Sequence, residues 1–409
     1  MRRLTKDMAK RLKTISFYDG KEEHGIRYDW GLIKREFKKL KTPPEIYDPT
    51  SAPIELVNYV MELSTRSYGK TTQWILLGLL MHELYGTTPI IIRQTEEMTA
   101  PKHAASLMDV IRTYDEGRYI KQLTEKRWND VFIKARKVYY CLRDDRGDIV
   151  EKGTEPVIYL VTLEESMALK SVFNVPRGDL IIFDEFISDI YHYNEFVTFC
   201  DELKTIIRSR LSPRVVLLSN TINTTSPYFR ELEIGKEVRK LNKNESTIVS
   251  TELGTKIYVR ISDSPSTKHK GILNSMFFGF KNPELAAIRG GDIVWNFRQV
   301  PRILTNDTDV YLDRRLKIDT IDELLSVDFV STEDRGLVAN VHPGEIHDDS
   351  IILTNGDIWD RQHRKGIGYG RREKLLVTLL DKGRVYYSDC ETAAVFRNFL
   401  TETKSYRFK

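Results

Sequence analysis

A glycine, a lysine and a threonine in a row, Gly69-Lys70-Thr71, have the clearest chemical use in this sequence. In such a turn the main-chain N–H groups and the lysine bind phosphate oxygens, and the threonine hydroxyl binds Mg²⁺. The pattern Gly-x-x-x-x-Gly-Lys-[Ser/Thr] is incomplete because Ser64 replaces the first glycine, and Gly-Lys-Thr also occurs in solvated turns. The sequence predicts a phosphate-binding loop. Its candidate nucleotide ligands are Ser64, Thr65, Arg66, Ser67, Tyr68, Gly69, Lys70, Thr71 and Thr72.

Two acids, Asp184 and Glu185, follow the short apolar run at residues 180–183. A continuous apolar run is typical of a central parallel strand, and an acid at its carboxyl end is placed to bind Mg²⁺ together with Thr71. The neighbouring glutamate would polarise the attacking water. Taken alone, Asp184 is better interpreted as a cap on the following helix. With a phosphate loop upstream, the pair predicts the metal and catalytic groups of one ATP site.

Other polar groups could respond to the nucleotide. Asn220 follows the apolar residues 215–218, where it could sense a phosphate or orient water, or simply cap a turn. Arg66, inside the loop, would point at or near the nucleotide. A guanidinium can also neutralise charge on a transferring phosphoryl group from a neighbouring subunit. Three arginines before residue 215 are candidates for that role, or form a solvated basic loop: Arg208, Arg210 and Arg214.

These residues require a scaffold in which strands alternate with helices. Apolar runs at 57–63, 88–93, 180–186 and 215–218 predict strands, and Gln73–Tyr85 has helical spacing. Because several of these runs are apolar throughout, they favour a parallel α/β sheet buried on both faces. Ligands bind such sheets at the carboxyl ends of the strands, where the polar motifs fall.

Composition limits the class of protein. A chain of 409 residues with 41% hydrophobic and 30% charged residues is typical of a soluble protein with more than one domain. The sequence has no apolar run of about 18 residues, which argues against a membrane span. Three widely separated cysteines, without a Cys-x-x-Cys pair, favour reduced thiols over a zinc site.

Changes in composition along the chain predict four segments. They are a basic N-terminal extension (1–50), a P-loop ATPase domain (51–232), a linker (233–255) and a smaller α+β domain (256–409). In the last, a basic stretch with interspersed glycines is expected to bind nucleic-acid phosphates, or else to be a solvated loop. Its members are Arg361, Arg364, Lys365, Arg371, Arg372 and Lys374. The acids available for a nuclease site form no evident triad: Asp263, Asp292, Asp348, Asp349 and Asp389.

Taken together, the motifs resemble a known family. Ser-x-Arg-x-x-Gly-Lys-Thr, then Ala-Leu-Lys-Ser before Ile-Ile-Phe-Asp-Glu-Phe, then Leu-Leu-Ser-Asn-Thr, are similar to the large terminases and DNA-packaging ATPases of tailed phages. The segment 385–392 resembles the encapsidation ATPases of small protein-primed podoviruses. The resemblance covers about Val57–Tyr228 and is loose beyond it.

This resemblance implies an ASCE-type P-loop ATPase that assembles as a ring, a pentamer, on the portal (connector) of a prohead. The ring would use ATP and Mg²⁺ to move double-stranded DNA into the prohead, with a structural RNA as a possible further partner and no membrane. It would work in the host cytoplasm while transiently bound to the prohead.

By motif position, the resemblance implies that Lys70 and Thr71 take phosphate and Mg²⁺, Asp184 serves the metal and Glu185 activates water. Asn220 would couple hydrolysis to motion, Arg66 would act in cis, and Arg210 or a near neighbour would act in trans. The C-terminal domain would be a vestigial RNase H-like nuclease. Two alternatives remain open: a terminase large subunit with an active nuclease, and another nucleic-acid-dependent ATPase such as a helicase.

Overall fold

The protein was analysed as a computed structural model. The structure describes residues 14–15, 25–26, 28–42, 46–64, 69–95, 101–113, 118–163, 177–187, 195–208, 210–222, 226–262, 294–295, 309–320, 323–344, 352–356 and 363–406.

Helices and strands alternate along the first part of the chain. The helices are α1 (Trp30–Lys38), α2 (Lys70–Tyr85), α3 (Pro101–Thr113), α4 (Arg118–Leu123), α5 (Glu195–Ile207), α6 (Pro227–Glu231), α7 (Gly235–Lys240), α8 (Arg371–Asp381) and α9 (Cys390–Glu402). The strands are β1 (Thr14–Ile15), β2 (Gly25–Ile26), β3 (Tyr59–Ser64), β4 (Ile90–Arg93), β5 (Asp130–Lys134), β6 (Lys137–Arg143), β7 (Ile149–Thr162), β8 (Leu180–Asp184), β9 (Arg214–Ser219), β10 (Thr221–Ile222), β11 (Ser246–Ser250), β12 (Lys256–Ser262), β13 (Val294–Trp295), β14 (Val310–Asp319), β15 (Leu324–Thr332), β16 (Gly336–Pro343), β17 (Ile352–Thr354), β18 (His363–Lys365) and β19 (Val385–Tyr387).

The main sheet has nine strands in the order β11-β12-β3-β9-β8-β4-β7-β6-β5. The run from β12 to β7 is parallel throughout, and the strands at both ends are antiparallel. Strands β8 and β9 are buried along almost their whole length, which explains why their sequences are apolar without alternation. The prediction of an α/β fold with a mostly parallel sheet is therefore confirmed.

Helix α2 is the central element against which the sheet packs. Trp74, Leu76 and Leu79 on different sides of it are all fully buried. Gly86, with a φ of 69°, ends the helix in the left-handed conformation that a residue without Cβ adopts readily. Although α2 is strongly apolar, no helix in the described parts of the chain has the length and hydrophobicity needed to cross a membrane.

The sheet domain begins before residue 51. Ile33 and Phe37 of α1 are buried in the same hydrophobic cluster as Trp74 of α2. The Tyr28 hydroxyl also donates a hydrogen bond to Asp179 Oδ2 at 2.7 Å, just before β8. The segment from residue 28 onward is thus part of the sheet domain, contrary to the predicted extension over 1–50, because the apolar side of α1 covers the core.

The predicted boundary at residue 256 also cuts through this sheet. Strand β12 pairs in parallel with β3, with Arg260 opposite Glu62. Glu62 is fully buried and accepts hydrogen bonds from Arg260 Nε at 2.9 Å and from the Tyr47 hydroxyl at 2.7 Å. Residues 246–262 therefore extend the sheet that contains β3.

A second sheet of six strands follows, in the order β18-β17-β14-β15-β16-β19. Its hydrophobic cluster joins Phe329 of β15 and Val341 of β16 to Leu376 of α8 and Phe396 of α9. One ion pair connects it to the first sheet domain: Arg230 of α6 lies 2.8 Å from Glu402 at the end of α9.

Candidate nucleotide-binding site

Four neighbouring strands, β3, β9, β8 and β4, each end in a polar residue at the same edge of the main sheet. Ser64 ends β3, Asn220 directly follows β9, Asp184 ends β8, and Arg93 ends β4. The strands are adjacent and parallel, so their carboxyl ends lie side by side. This edge is where parallel α/β sheets bind ligands.

Lys70 lies at the centre of this edge and is only 5% exposed. Its Nζ donates to Ser64 Oγ at 2.6 Å, to the Ser64 carbonyl at 3.4 Å and to Asn220 Oδ1 at 2.8 Å. These three acceptors are neutral. Burial lowers the pKa of Lys70 to about 8, while Asp184 and Glu62 act in the opposite direction. A buried amine whose hydrogen-bond partners are neutral is suited to an anionic ligand, because a phosphate would stabilise its charged form.

The turn before Lys70 also suits a phosphate. Gly69 has a φ of 82°, and a Cβ at this position would lie 2.8 Å from Ile46 Cγ2. Helix α2 begins after Gly69, which has no side chain that could accept a hydrogen bond from the first N–H groups of the helix. A helix N-terminus favours anions through its main-chain N–H groups and its dipole.

Thr71 and Asp184 bring two oxygens together. The Thr71 hydroxyl donates to Asp184 Oδ1 at 2.8 Å, across 113 positions of sequence. Burial raises the pKa of the Asp184 carboxyl, and this effect is opposed by Arg93 and by the Thr71 hydrogen bond. A hydroxyl and a carboxylate are hard oxygen ligands of the kind that Mg²⁺ prefers, so the pair fits the predicted metal.

Arg93 is the site residue that sequence reasoning missed. Its guanidinium lies 2.6 Å from Asp184 Oδ2 and 2.7 Å from Glu185 Oε2, and so joins both acids. A signal was present in the sequence: Arg93 follows three isoleucines, just as Asp184 follows an apolar run. The adjacency of β4 and β8, which brings Arg93 to the acids, is not visible in the sequence.

Glu185 is the most accessible group of the site, with 49% of its side chain exposed. Its φ of 57° is unusual for a residue with a Cβ, and such conformations cost roughly 1–3 kcal/mol. The turn is held by the next residue, since the Phe186 N–H donates to the Leu218 carbonyl at 3.2 Å. The strained turn directs Glu185 away from the core while Asp184 stays buried.

The three arginines before β9 differ in their surroundings. Arg210 pairs with the buried Asp179 and donates to the Ile206 carbonyl at 2.6 Å. Arg214 donates to the Ile54 carbonyl at 2.9 Å. Both lie near the amino-terminal ends of β8 and β9, the sheet edge opposite Lys70. Arg208 is exposed, with a φ of 52°. The structure does not bring any of them to the Lys70 site of the same chain.

Several predicted residues cannot be located relative to this site. Thr65, Arg66, Ser67 and Tyr68 lie outside the described residues, as do the acids at 263, 292, 348 and 349. Thr72 is half-buried in the first turn of α2. Asp389 caps α9, because its Oδ1 accepts a hydrogen bond from the Thr392 N–H at 2.8 Å.

Two solved structures that are similar to this chain come from phage packaging machines. The Phi-28 gp11 DNA packaging motor is 16% identical, and the match covers 90% of this chain and 100% of that chain with a TM-score of 0.51. The bacteriophage Phi-29 viral genome packaging motor assembly is 15% identical, covering 88% and 99% with a TM-score of 0.49. The fold similarity rests on the first of these. No family model and no curated protein matches the sequence.

The predicted resemblance to phage packaging ATPases is thereby confirmed at the level of the fold. The similarity extends beyond residues 57–228, to which the sequence motifs limited it, because the match with the Phi-28 protein covers nine-tenths of this chain.

Proposed function

We propose that this chain is the ATPase of a phage DNA-packaging motor, which hydrolyses ATP to move double-stranded DNA into a prohead. The observation that carries the proposal is the convergence of Lys70, Thr71, Asp184 and Asn220 at one sheet edge through hydrogen bonds of 2.8 Å or less. The fold shared with the Phi-28 packaging motor supports the substrate and the setting.

Each residue of the site has a defined task in this proposal. Lys70 and the N–H groups after Gly69 bind the phosphates of ATP, in place of the neutral acceptors that Lys70 now contacts. Thr71 and Asp184 hold Mg²⁺, which when bound neutralises phosphate charge. Glu185, exposed at the strained turn, orients and deprotonates water.

The two polar partners of these groups have tasks as well. Asn220 contacts Lys70 directly, so a change in the Lys70 contacts reaches the end of β9 and can couple hydrolysis to motion. Arg93 holds Asp184 and Glu185 together before the nucleotide binds. Arg66 remains the proposed cis arginine of the loop.

For the arginine that acts in trans, we favour Arg208 over Arg210. The guanidinium of Arg210 is engaged by Asp179 and by main-chain carbonyls of its own chain, whereas Arg208 is exposed. An exposed guanidinium can reach a neighbouring subunit without breaking a buried ion pair. The ring, a pentamer docked on the portal, is part of the proposal, as is transient attachment to the prohead in the host cytoplasm.

The second sheet domain is proposed to bind nucleic acid rather than cut it, as a vestigial RNase H-like fold. Its exposed arginines and lysines near β18 and α8 support binding to phosphates. A structural RNA at the portal is a further candidate partner of these basic residues.

ATPase activity with and without duplex DNA and cognate proheads tests the proposed function. We expect turnover that rises on addition of both, together with DNA that becomes protected from nuclease inside the prohead. Unwinding of forked DNA without protection would support the helicase alternative. Metal-dependent nicking of a plasmid would support the terminase alternative. Turnover that is indifferent to DNA and proheads would contradict the motor.

Mixed rings test the trans arginine. Subunits with Arg208→Ala keep an intact Lys70, and subunits with Lys70→Ala keep an intact Arg208. Mixing the two should restore part of the hydrolysis, because some interfaces then combine both intact groups. The same mixture made with Arg210→Ala should recover less, since that variant loses the ion pair to the buried Asp179. No recovery with Arg208→Ala, despite normal assembly, would contradict the assignment.

A further inference from the structure

A short glycine-rich loop, residues 366–370, connects β18 to α8 in the second sheet domain and is held on three sides. The Gly366 N–H donates to the Thr354 carbonyl at 3.0 Å. The Ile367 N–H donates to Ser405 Oγ at 2.7 Å. The Gly368 N–H donates to the carboxylate of Glu373, a residue buried in the first turn of α8. The main chain of this loop is therefore fixed.

The glycines leave room for the close approach of these partners. A Cβ at Gly368 or Gly370 would lie 2.7 or 2.6 Å from a carboxylate oxygen of Glu373. A Cβ at Gly366, whose φ is 71°, would lie 2.6 Å from Ser405 Oγ. Between these fixed glycines, Tyr369 is 91% exposed. A large aromatic ring is thus presented to solvent by a hydrogen-bonded loop, where a ligand can reach both of its faces.

The surface around this ring is basic. Lys374 Nζ lies 6.0 Å from the centre of the Tyr369 ring. The acid within the loop frame, Glu373, is buried, and its carboxylate accepts a hydrogen bond from the Gly368 N–H. The exposed basic residues on β18 and the first turn of α8 are Arg364, Lys365, Arg371, Arg372 and Lys374.

We propose that the 366–370 loop binds unpaired nucleotides: Tyr369 stacks on a base and the surrounding arginines and lysines contact phosphates. Aromatic rings beside basic groups bind single strands in this way, because every base has a π-face. In a duplex the base faces are covered by stacking, so an exposed ring finds no free base face there. The inference rests on the proposed nucleic-acid role of the second domain and is independent of the ATP site.

Fluorescence anisotropy with the full chain and no ATP tests this inference. The probes are labelled oligo-dT and oligo-U of about 12 nucleotides and a duplex of equal length, within the site size of single-strand binders. Tyr369→Ala should weaken binding to both single strands by about 5-fold to about 100-fold, the range expected for one lost stack. Tyr369→Phe keeps the ring and should bind as the wild type does. Duplex affinity should change by less than about 2-fold, because duplex binding depends on phosphates.

Matched controls separate stacking from general effects. Leu253→Ala removes an apolar side chain that is 95% exposed in the first domain, and should change nothing. Arg371→Gln should weaken binding to single strands and duplex alike and flatten the salt dependence, whereas Lys382→Gln, an exposed charge at the other end of α8, should not. Unchanged thermal unfolding of Tyr369→Ala confirms that the frame is intact.

The outcomes decide the proposal. An equal loss of affinity for oligo-dT and oligo-U in Tyr369→Ala supports the proposal, with single-stranded DNA or RNA as the ligand. A larger loss for oligo-U identifies RNA as the ligand. Unchanged single-strand binding by Tyr369→Ala would overturn it, as would an equal loss in Tyr369→Phe or in the duplex. If Tyr369 instead contacts a protein partner, Tyr369→Ala should bind single strands as the wild type does. Since no ATP is present, failure of the motor function would leave this measurement unaffected.

Discussion

Replacing Arg260 with methionine should destabilise the sheet domain strongly. Arg260 on β12 and Glu62 on β3 form an ion pair in which the Glu62 side chain is fully buried and the Arg260 side chain is 17% exposed. Arg260 also lies over the Tyr47 ring, 4.9 Å from its centre. Without Arg260, Glu62 still accepts a hydrogen bond from the Tyr47 hydroxyl, but its negative charge loses the cation that compensates it.

The magnitude follows from burial. Removing one partner of a buried ion pair costs about 3–5 kcal/mol, because the remaining charge is uncompensated. Burial already raises the pKa of Glu62, and loss of Arg260 should raise that pKa further. An unfolded glutamate titrates near pH 4.3. Between that pH and the raised folded value, the folded state binds more protons than the unfolded state, so stability should fall as pH rises.

Urea unfolding of Arg260→Met at several pH values measures this effect. The loss should be smallest at low pH, where Glu62 can protonate, and should grow toward neutral pH. In the variant that also carries Glu62→Met and Tyr47→Phe, most of the loss should disappear, since no uncompensated buried charge remains. Arg335→Met, which breaks an exposed pair with Asp334, is the matched control and should leave the unfolding midpoint unchanged. A loss below about 1 kcal/mol that does not vary with pH would refute the reasoning.

Three further changes give distinct results. Gly78→Ala should lower the free energy of unfolding in urea by about 1–3 kcal/mol, because the new Cβ would lie 2.8 Å from Pro89 Cβ. This loss is expected despite the higher helix propensity of alanine. A variant more stable than the wild type would contradict the close packing of α2 against Pro89. The hydrogen bond to Asp328 raises the pKa of His342. Protonated His342 therefore stabilises the fold below the unfolded-state pKa, near 6.5, and this contribution is lost as pH rises through the folded-state pKa. His342→Gln should lower the urea midpoint more at low pH than at high pH, and equal effects at both would contradict this reasoning. Arg93→Gln leaves the buried Asp184 without its cation, so the melting temperature of the nucleotide-free chain should fall. The increase in melting temperature on adding Mg²⁺ and ADP should be larger for this variant than for the wild type. A smaller increase would show that Arg93 contacts the ligand instead.

The core strands were predictable because burial on both faces leaves a continuous apolar run. The runs that end at Arg93, Asp184 and Ser219 are strands of the main sheet, as expected. The residues that these strands present at their carboxyl ends followed from the same rule. For this reason, the grouping of Lys70, Asp184 and Asn220 could be anticipated from sequence.

Turn chemistry conceals one reversal of the chain. Residues 131–142 are rich in β-branched and aromatic residues, as in a single strand, but the chain reverses between β5 and β6. Ala135 and Arg136 occupy the turn with φ values of 48° and 57°. Such turns normally carry Asn or Gly, and neither residue type signals left-handed backbone. The reversal therefore left no mark in the sequence.

Long-range pairing explains the remaining differences. The sequence of β12 predicts a strand but not its neighbour, so its pairing with β3 and the burial of Glu62 were not predictable. The same holds for Arg93, whose role depends on β4 lying beside β8. The ion pair between Arg210 and Asp179 could not be predicted either, because the two residues are distant in sequence.

The central claim is that the Gly69–Thr71 turn and the Asp184–Glu185 pair form one nucleotide site. It is tested most directly by measuring ATP binding and ATP turnover of Lys70→Ala and Glu185→Gln beside the wild type. Glu185→Gln should bind ATP and Mg²⁺ about as tightly as the wild type and hydrolyse none of it. Lys70→Ala should lose both binding and turnover, because the buried amine at the head of α2 is gone. Hydrolysis by Lys70→Ala at the wild-type rate would contradict the account.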